Sequence, residues 1–374
     1  MMPEIWLKYG PTDVVLDIKF DNLSSQISSS FQPMPEEQLK AAVDAVPVTD
    51  NMLVMSLSSS KAASKAVLML AESARAKGFG VTVDVPARIA GAMRTNLTAL
   101  AGGEVVPINR ADYQSFQDRA GRFQSTIVVS SVSYDPLFGY AGGPTGILRN
   151  FMPEKMAEAY NARRDNLPSP GEELGPVKVA VSAMDGISAT SIELVANGSG
   201  VAGVHTGTLQ DAFGAATSQL RSISVAEEEP AKCAVMSASA DAGVQTTLLS
   251  SLNSLWNNIH IVKEGGTAVL LAESRDGVGG GALQMLVEGR LRPELVSQGP
   301  YVEGLEHLLF AAELRQKCEL GLVSALPRYY ATRLGFTTYS GMNDVLQKLP
   351  EKVGKSYRAI VLSDADITLL KPKI

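Results

Sequence analysis

The sequence predicts an α/β protein of two domains with mostly parallel sheets that are covered by helices. Its length of 374 residues exceeds what one ordinary hydrophobic core organises, so two domains are expected. Short apolar runs alternate with stretches of helical spacing, which is typical of βαβ units and a parallel sheet. Apolar residues make up 45% and charged residues 19% of the chain, a composition typical of a well-packed globular protein.

The first part of the chain begins with a predicted β-hairpin. EIWLKYGPTDVVLDIKF contains two alternating apolar runs around a Gly-Pro-Thr-Asp turn. A helix with acidic residues in its first turn follows, as the helix dipole favours. After it, strands and helices alternate. The predicted elements are the helix MPEEQLKAAVDAV, the strand NMLVMSLSS, the helix SKAASKAVLMLAESARAKG ending at Gly78, the strand VTVDVPARI, the helix AGAMRTNLTALAGG, and the strands VVPINR and QSTIVVSSVSYD.

The middle of the chain holds a glycine-rich loop and a candidate linker. DPLFGYAGGPTGILRNFMPEKM predicts a loop entering a helix, and VKVAVSAM has a strand pattern. NGSG has the residues of a hairpin turn, and a helix is predicted from Leu209 to about Ile223. SVAEEEPAK (224–232) is acidic, contains proline and lacks periodicity, which indicates a linker. We therefore predict domains at residues 1–228 and 229–374, with the last residues packing back on the first domain.

The second domain repeats the alternation of strands and helices. KCAVMSAS predicts a strand, followed by a long helix to about Asn258 and helices around Ala282–Leu291 and Glu303–Leu320. Further strands are predicted in GLVSALP, ATRLGFTTY and YRAIVLSDA.

A second glycine-rich loop lies in IHIVKEGGTAVLLAESRDGVGGG. We expect Gly265 and Gly266 to end a helix and admit a strand, from whose end the loop Glu273–Gly281 leads into the next helix. Ligands bind at the carboxyl ends of parallel strands, and helix N-termini attract anions. Gly277 and Gly279 begin a G-x-G-x-x-A spacing, but no acid-bearing strand follows about twenty residues later. The pattern is typical either of a loop that binds a cofactor or of an ordinary connection between a strand and a helix.

Polar side chains on loops at predicted strand ends are the candidate ligand residues. Arg149 and Arg275 can each bind a small carboxylate or phosphate through a charge-assisted fork. A local ion pair is the alternative for Arg275 with Asp276. Asp135 lies on a loop of the same kind. The predicted substrate or anion-binding residues are Tyr140, Arg149, Glu273, Arg275 and Asp276, and the predicted cofactor-binding residues are Gly142, Gly143, Gly277 and Gly279.

Charge, cysteine content and histidine spacing exclude several functions. A net charge of −6 disfavours nucleic acid, and no run approaches the ~20 apolar residues that span a bilayer. MMPEIWLKYG lacks the features of a signal peptide, and Cys233 and Cys318 form no CxxC pair, so a cytoplasmic location is expected. His205, His260 and His307 share no ligand spacing, so no metal site is predicted.

Several segments, in order, resemble the nickel-pincer lactate racemase family. DPLFGYAGGPTGILRNFMP resembles its AGFSGG…K…PG loop, and GVAGVHTGTLQDAFGAA resembles its strand–AGD–helix stretch. IVKEGGTAVLLAESRDGVGGG resembles its V-K-P-G-G-T…DG-G segment, and KYG…LDI matches its opening hairpin. The resemblance implies two α/β domains with a cleft between them. In active members this cleft holds a nickel ion on a lysine-tethered pyridinium dinucleotide, which exchanges hydride with a 2-hydroxy acid.

The chain departs from this family at its chemical positions. The substrate arginine of the D-L-T-R loop falls on SLSSSK, near Ser59. Its two catalytic histidines fall in VDVPARI and PEKMAEAYNARRDN, which contain no histidine. The nickel-ligating histidine falls on Phe213 of the pair Ala212-Phe213. The substrate-holding glutamine and lysine fall near Ser250 and Asn253, and the tethering lysine has only Lys178 nearby.

Three functions remain open from the sequence. The first is a divergent racemase-like protein without nickel-pincer catalysis that binds a small carboxylate, a phosphate or a protein partner, with no cofactor expected. The second is a working racemase or epimerase of 2-hydroxy acids with rearranged residues, which requires the nickel-pincer nucleotide. The third is a structural subunit whose cleft is closed by packing, with a second copy of the chain or another protein as its partner. No catalytic residue is assigned.

Overall fold

The computed structural model describes residues 4–29, 31–97, 104–108, 116–163, 169–238, 246–292 and 301–373. The strands are β1 (Glu4–Tyr9), β2 (Thr12–Asp17), β3 (Leu23–Ile27), β4 (Met52–Ser56), β5 (Val81–Pro86), β6 (Glu104–Ile108), β7 (Ser125–Ser131), β8 (Ser133–Asp135), β9 (Gly139–Ala141), β10 (Thr190–Asn197), β11 (Gly200–Gly207), β12 (Val225–Glu228), β13 (Ala231–Ser237), β14 (Val262–Leu271), β15 (Glu319–Val323), β16 (Thr337–Tyr339), β17 (Ala359–Leu362) and β18 (Leu369–Pro372). The helices are α1 (Glu36–Asp44), α2 (Lys61–Ala76), α3 (Ala90–Asn96), α4 (Phe116–Ala120), α5 (Gly143–Phe151), α6 (Pro153–Ala162), α7 (Gly175–Ser182), α8 (Leu209–Ser224), α9 (Leu248–Asn258), α10 (Gly281–Val287), α11 (Leu305–Leu314), α12 (Arg328–Arg333) and α13 (Met342–Val353).

The chain divides into two compact units, residues 31–222 and residues 1–30 with 223–374. We call them the continuous unit and the split unit. Their bounds differ from the predicted division at 228/229 because β3 adds to the sheet of the C-terminal residues, pairing with β17 from Leu23 to Ile27. The predicted linker is also a strand, since β12 pairs in parallel with β18. The pairing with β18, about 140 residues later in the chain, and not a local pattern, determines this structure.

The continuous unit contains a sheet that is parallel except at one edge. Its strand order among the described residues is β11-β10-β7-β4-β5-β6, and only β11 is antiparallel to its neighbour. The predicted NGSG turn joins β10 to β11, with Asn197 opposite Gly200. Buried Val54, Ile127 and Leu70 pack on the α2 face. Met55, Val128 and Ile147 pack on the α5 face, so both faces of the sheet are covered.

The split unit contains a fully parallel sheet in the described part of the chain. Its order is β16-β15-β14-β13-β17-β3. The predicted hairpin β1–β2 pairs Glu4 with Asp17 through to Tyr9 with Thr12, and it packs with α13 on one face. Trp256 of α9 lies edge-on to Phe310 of α11 at 6.2 Å. The predicted fold class, two α/β domains with mostly parallel, helix-covered sheets, is confirmed.

Three local predictions are wrong in whole or in part. ATRLGFTTY is a strand only from Thr337 to Tyr339, because Ala331 to Arg333 belong to α12. Gly265 and Gly266 do not end a helix, because they lie inside β14 at a register shift against β13, with Gly265 at φ +68°. VKVAVSAM is not a strand, because Val177 to Ser182 belong to α7. Gly-Pro at the start of α7 favours a helix, and Pro176, Val177 and Ala180 are buried at helical spacing. Within the described ranges, no helix combines the length and the apolarity that crossing a membrane requires.

Candidate ligand site

A serine-rich loop follows β4 at the centre of the continuous unit's sheet. From β4 the chain proceeds outward to β5 and β6, and β7 then returns to the other side of β4. The connections after β4 and β7 therefore lead in opposite directions, which makes this the switch point where ligands bind in open α/β sheets. The loop comprises residues 57–60, and we call it the serine loop. The sequence analysis aligned this segment with the D-L-T-R substrate loop but predicted no ligand residue in it, because serines stand where the family has its arginine.

The serine loop is held by its own hydroxyls and by β7. The Leu57 N–H donates to Val129 O at 2.9 Å, and the hydroxyl oxygens of Ser60 and Ser131 lie 3.3 Å apart. The Ser60 N–H donates to the Ser58 hydroxyl at 3.2 Å. Ser60 also caps α2 by accepting from the Ala63 N–H at 3.0 Å. The loop thus places hydroxyls at the positive end of the dipole of the 16-residue helix α2.

Glu193 is a second polar feature that the sequence analysis did not identify. This residue of β10 is fully buried and accepts from the Gly143 N–H at 2.8 Å and the Ser191 hydroxyl at 3.1 Å. The Ser130 hydroxyl donates to its other oxygen. Burial raises the pKa of the Glu193 carboxyl, and these three hydrogen bonds oppose the rise. A glutamate inside the apolar run SIELVAN was the sequence signal.

The glycines of the first loop allow this close approach. A Cβ at Gly142 would lie 2.5 Å from the ring of Phe213, and one at Gly143 would collide with the Glu193 carboxylate. The predicted cofactor-binding glycines Gly142 and Gly143 therefore let the start of α5 approach the carboxylate of Glu193 closely. Cofactor binding by these two glycines stays a prediction.

The two predicted anion-binding residues of the continuous unit are engaged within the protein. Arg149 forms an ion pair with buried Asp135 at 2.9 Å, and its guanidinium lies 4.9 Å from the centre of the Phe138 ring. Tyr140 is buried, and its hydroxyl accepts from Arg221 at 3.0 Å. Burial raises the pKa of Tyr140, although Arg221 acts in the opposite direction. Because Asp135 already balances the charge of Arg149, an external anion would be attracted to this guanidinium less strongly than to an unpaired one.

The other predicted site residues lie on the loop Glu273–Gly281 of the split unit. The loop follows β14 and leads into α10, as predicted. Its backbone packs on the start of α9, where the Leu248 N–H donates to Gly277 O at 3.0 Å. Gly277 and Gly279 have φ of +89° and +100°, which explains the glycines without a ligand. Arg275 and Asp276 are exposed, and Glu273 raises the pKa of Tyr9 in addition to the larger effect of burial.

Ser274, in the same loop, has a strained backbone. It has φ +51°, a left-handed conformation that serine rarely adopts, and its side chain is buried. Its hydroxyl has no hydrogen-bond partner among the residues that the structure describes. Strain of this kind collects at functional sites, which keeps this loop a candidate.

Replacing Ser274 with glycine is expected to raise the free energy of unfolding by about 0.5–1.5 kcal/mol. Relief of the left-handed strain and of the unpaired hydroxyl outweighs the entropy that glycine adds to the unfolded chain. Denaturant unfolding of the full chain measures this change. Ser274→Ala removes the hydroxyl but keeps the strain, so it should gain less than Ser274→Gly. A loss of stability in Ser274→Gly would contradict the role assigned to strain.

The three histidines and two cysteines lie on different segments of the chain. His205 Nε2 lies 2.7 Å from Gln219 Oε1, while His260 is exposed in a 3₁₀ turn and His307 is buried on α11. Burial raises the pKa of Cys233 to about 12 and, with a smaller rise from Glu319, that of Cys318 to about 11. Across the described ranges, no three His, Cys, Asp or Glu residues are grouped to hold a metal ion.

The fold is shared with proteins of known structure. No family model and no curated protein matches the chain. The structure of the lactate racemase apoprotein from Thermoanaerobacterium thermosaccharolyticum matches with a TM-score of 0.77 and 14% identity, over 99% of this chain and 100% of that one. A Thermotoga maritima protein solved by the Northeast Structural Genomics Consortium matches with a TM-score of 0.63 and 11% identity, over 91% of this chain and 99% of that one. At such identities the likeness establishes the fold, and this chain therefore has the lactate racemase fold, as its ordered series of motifs predicted.

Proposed function

We propose that this chain binds a small carboxylate or phosphate and does not carry out nickel-pincer catalysis. The observation that carries the proposal is the serine loop at the switch point of the continuous unit. Hydroxyls of Ser58, Ser60 and Ser131 surround the start of α2, whose dipole favours an anion. The exposed Lys61 follows directly and adds a positive charge.

The serine loop is favoured over the first glycine loop because its internal partners are neutral hydroxyls and not buried carboxylates. The N–H groups of Ser60 and Ala63 donate to the hydroxyls of Ser58 and Ser60, and the Ser58 hydroxyl keeps its own proton to donate to an anion. The N–H of Gly143 donates to Glu193, and Arg149 is paired with Asp135. Both groups already have a buried carboxylate as their partner, so they would attract an external anion less strongly than unpaired groups. The loop Glu273–Gly281 remains a second location for the ligand, with Arg275 exposed there.

The residues of the continuous unit do not fit a nickel-bearing nucleotide tethered to lysine. Phe213 stands where the resemblance places the nickel-ligating histidine, and its ring lies against Gly142. Lys178 is exposed on helix α7, which starts with Gly175 and Pro176. It therefore does not lie at the end of a strand. A base tuned to neutral pH is usually histidine, and His205 of this unit is hydrogen-bonded to Gln219. These contacts support a protein in which the fold persists and binding replaces the reaction.

Calorimetric titration of the full chain with inorganic phosphate and with D- and L-lactate tests the proposal. Ser58→Asp is the informative variant, because an aspartate can still accept from the Ser60 N–H while its charge repels an anion. We expect the affinity for the bound anion to fall at least about tenfold, which is 1.4 kcal/mol. Ser218→Asp, an exposed position on α8 of the same unit, is the matched control and should bind normally.

Two results would overturn the proposal. Unchanged anion binding by Ser58→Asp would remove the serine loop as the site. Stoichiometric nickel in the purified protein, together with racemisation of lactate, would instead establish the catalytic alternative.

A further inference from the structure

A groove of about 710 Å³ lies at the amino ends of the strands in the continuous unit's sheet, opposite the end that carries the serine loop. It is bordered by the first residues of β7 and β10, by α4 with the turn that follows it, and by the turn before β10. These are the amino ends of the strands, whereas the serine loop lies at the carboxyl ends. Its volume is within the range of small-molecule sites. We infer that this groove binds a neutral polyhydroxylated molecule, such as a mono- or disaccharide.

The groove is lined by hydroxyl and amide side chains. Those of Gln117, Gln124, Ser125, Ser188 and Thr190 can each donate and accept hydrogen bonds. A sugar hydroxyl likewise both donates and accepts, so this lining matches a polyol better than a group that only accepts. The partly buried Phe123 contributes an apolar surface on the same side.

Charge argues for a neutral ligand. Of the described residues that line the groove, none is ionisable. The nearby Arg119, whose guanidinium lies 5.1 Å from the centre of the Phe123 ring, is already paired with Asp84, so an anion in the groove would lose water without gaining a free counter-charge. The groove therefore differs in chemistry from the serine loop, where the helix dipole and Lys61 favour an anion.

Thr126 supplies an independent indication of a ligand. This residue of the groove wall is 3% exposed, and its hydroxyl has no hydrogen-bond partner in the described part of the chain. Its neighbour Ser125 differs, because its hydroxyl lies 2.6 Å from that of Thr49. A buried hydroxyl without a partner is costly and rare in folded proteins. That hydroxyl has almost no accessible surface in this structure, so a ligand hydroxyl becomes its partner only when the Thr126 side chain rotates toward the groove.

Saturation-transfer NMR and calorimetry on the full chain test the inference, with D-glucose and maltose as neutral probes and D-glucuronate as the charged analogue. We expect saturable binding of at least one neutral probe and weaker binding of glucuronate. Thr126→Val keeps the shape and removes the hydroxyl, so the affinity for the sugar should fall about two- to tenfold. The same variant should raise the melting temperature of the ligand-free protein, because its unpaired hydroxyl is gone.

A blocking variant separates the groove from other surfaces. Ser188→Trp should abolish sugar binding by filling the groove, while Ser218→Trp on α8 should leave it unchanged. The inference fails if neither neutral probe binds, if glucuronate binds as well as glucose, or if Thr126→Val and Ser188→Trp bind like the unsubstituted chain. Phosphate binding at the serine loop is scored separately, so either site can fail alone.

Discussion

Asn258→Ala is expected to lower the free energy of unfolding by about 3–5 kcal/mol, the largest effect of any single substitution considered. Asn258 is fully buried at the end of α9, and its amide donates to Ser254 O at 3.0 Å and Ala365 O at 2.9 Å. Its carbonyl oxygen accepts from the Leu370 N–H at 3.0 Å. Alanine would leave the Leu370 N–H unpaired in the interior, and the Ala365 carbonyl would keep only a long hydrogen bond of 3.5 Å from the Asn257 amide.

Denaturant unfolding and amide hydrogen exchange measure this effect. In the variant, hydrogen exchange at the Leu370 amide of β18 should speed up more than exchange at the amides of β13. The reason is that the Asn258 side chain anchors the segment that begins β18. Asn343→Ala, an exposed change on α13, is the control and should alter stability by less than about 0.5 kcal/mol. If Asn258→Ala behaves like this control, the buried amide does not hold the C-terminal segment.

Substitution of Glu193 is expected to have the second largest effect on the free energy of unfolding, and the sign of that effect depends on the replacement. Glu193→Ala leaves the Gly143 N–H and the hydroxyls of Ser130 and Ser191 without their acceptor, and it opens a cavity beneath α5. We expect a loss of about 2–4 kcal/mol at neutral pH, measured by denaturant unfolding. Glu193→Gln keeps the shape and one acceptor oxygen, and the Ser130 hydroxyl can turn to accept from the new amide.

The glutamine variant is expected to become progressively more stable than the unsubstituted chain as pH rises. Burial raises the pKa of Glu193 above its ordinary value of 4.5, so the fold favours the protonated carboxyl. That contribution to stability is fully present below about pH 4.5 and is lost as pH rises through the folded pKa. Glutamine does not ionise and avoids this loss. Unfolding free energies of both proteins between acid and neutral pH check the trend, and a constant difference would contradict it.

The sequence predicts local structure well where period and turn chemistry agree. The hairpin Glu4–Asp17, the helix ending near Gly78 and the loop Glu273–Gly281 all follow from apolar spacing and punctuating glycines. VKVAVSAM shows the limit, because alternating valines imitate a strand although Gly-Pro starts a helix. Gly265 shows another, since a bulge inside a strand depends on the partner strand.

The candidate site is harder to predict from local sequence patterns than the helices and strands are, because its residues come together only in the folded chain. Arg149 and Asp135 both stand at strand ends in the sequence, but their pairing appears only when β8 and α5 are placed together. The serine loop gains meaning from the strand order around β4, which no local pattern encodes. Residues 225–228 read as a linker because their partner β18 is far away in the sequence.

The pairing of β3 with β17 has a consequence for the order of folding during synthesis. Ser29, just after β3, donates to Asp364, a residue 335 positions later in the chain. The ribosome completes residues 31–222 long before it synthesises β17, so the continuous unit can fold first. Until then β3 has no partner strand. The split unit closes last and against a large loop entropy. Nascent chains halted before residue 359 should therefore protect the interior of residues 31–222 from protease and leave the first 29 residues susceptible.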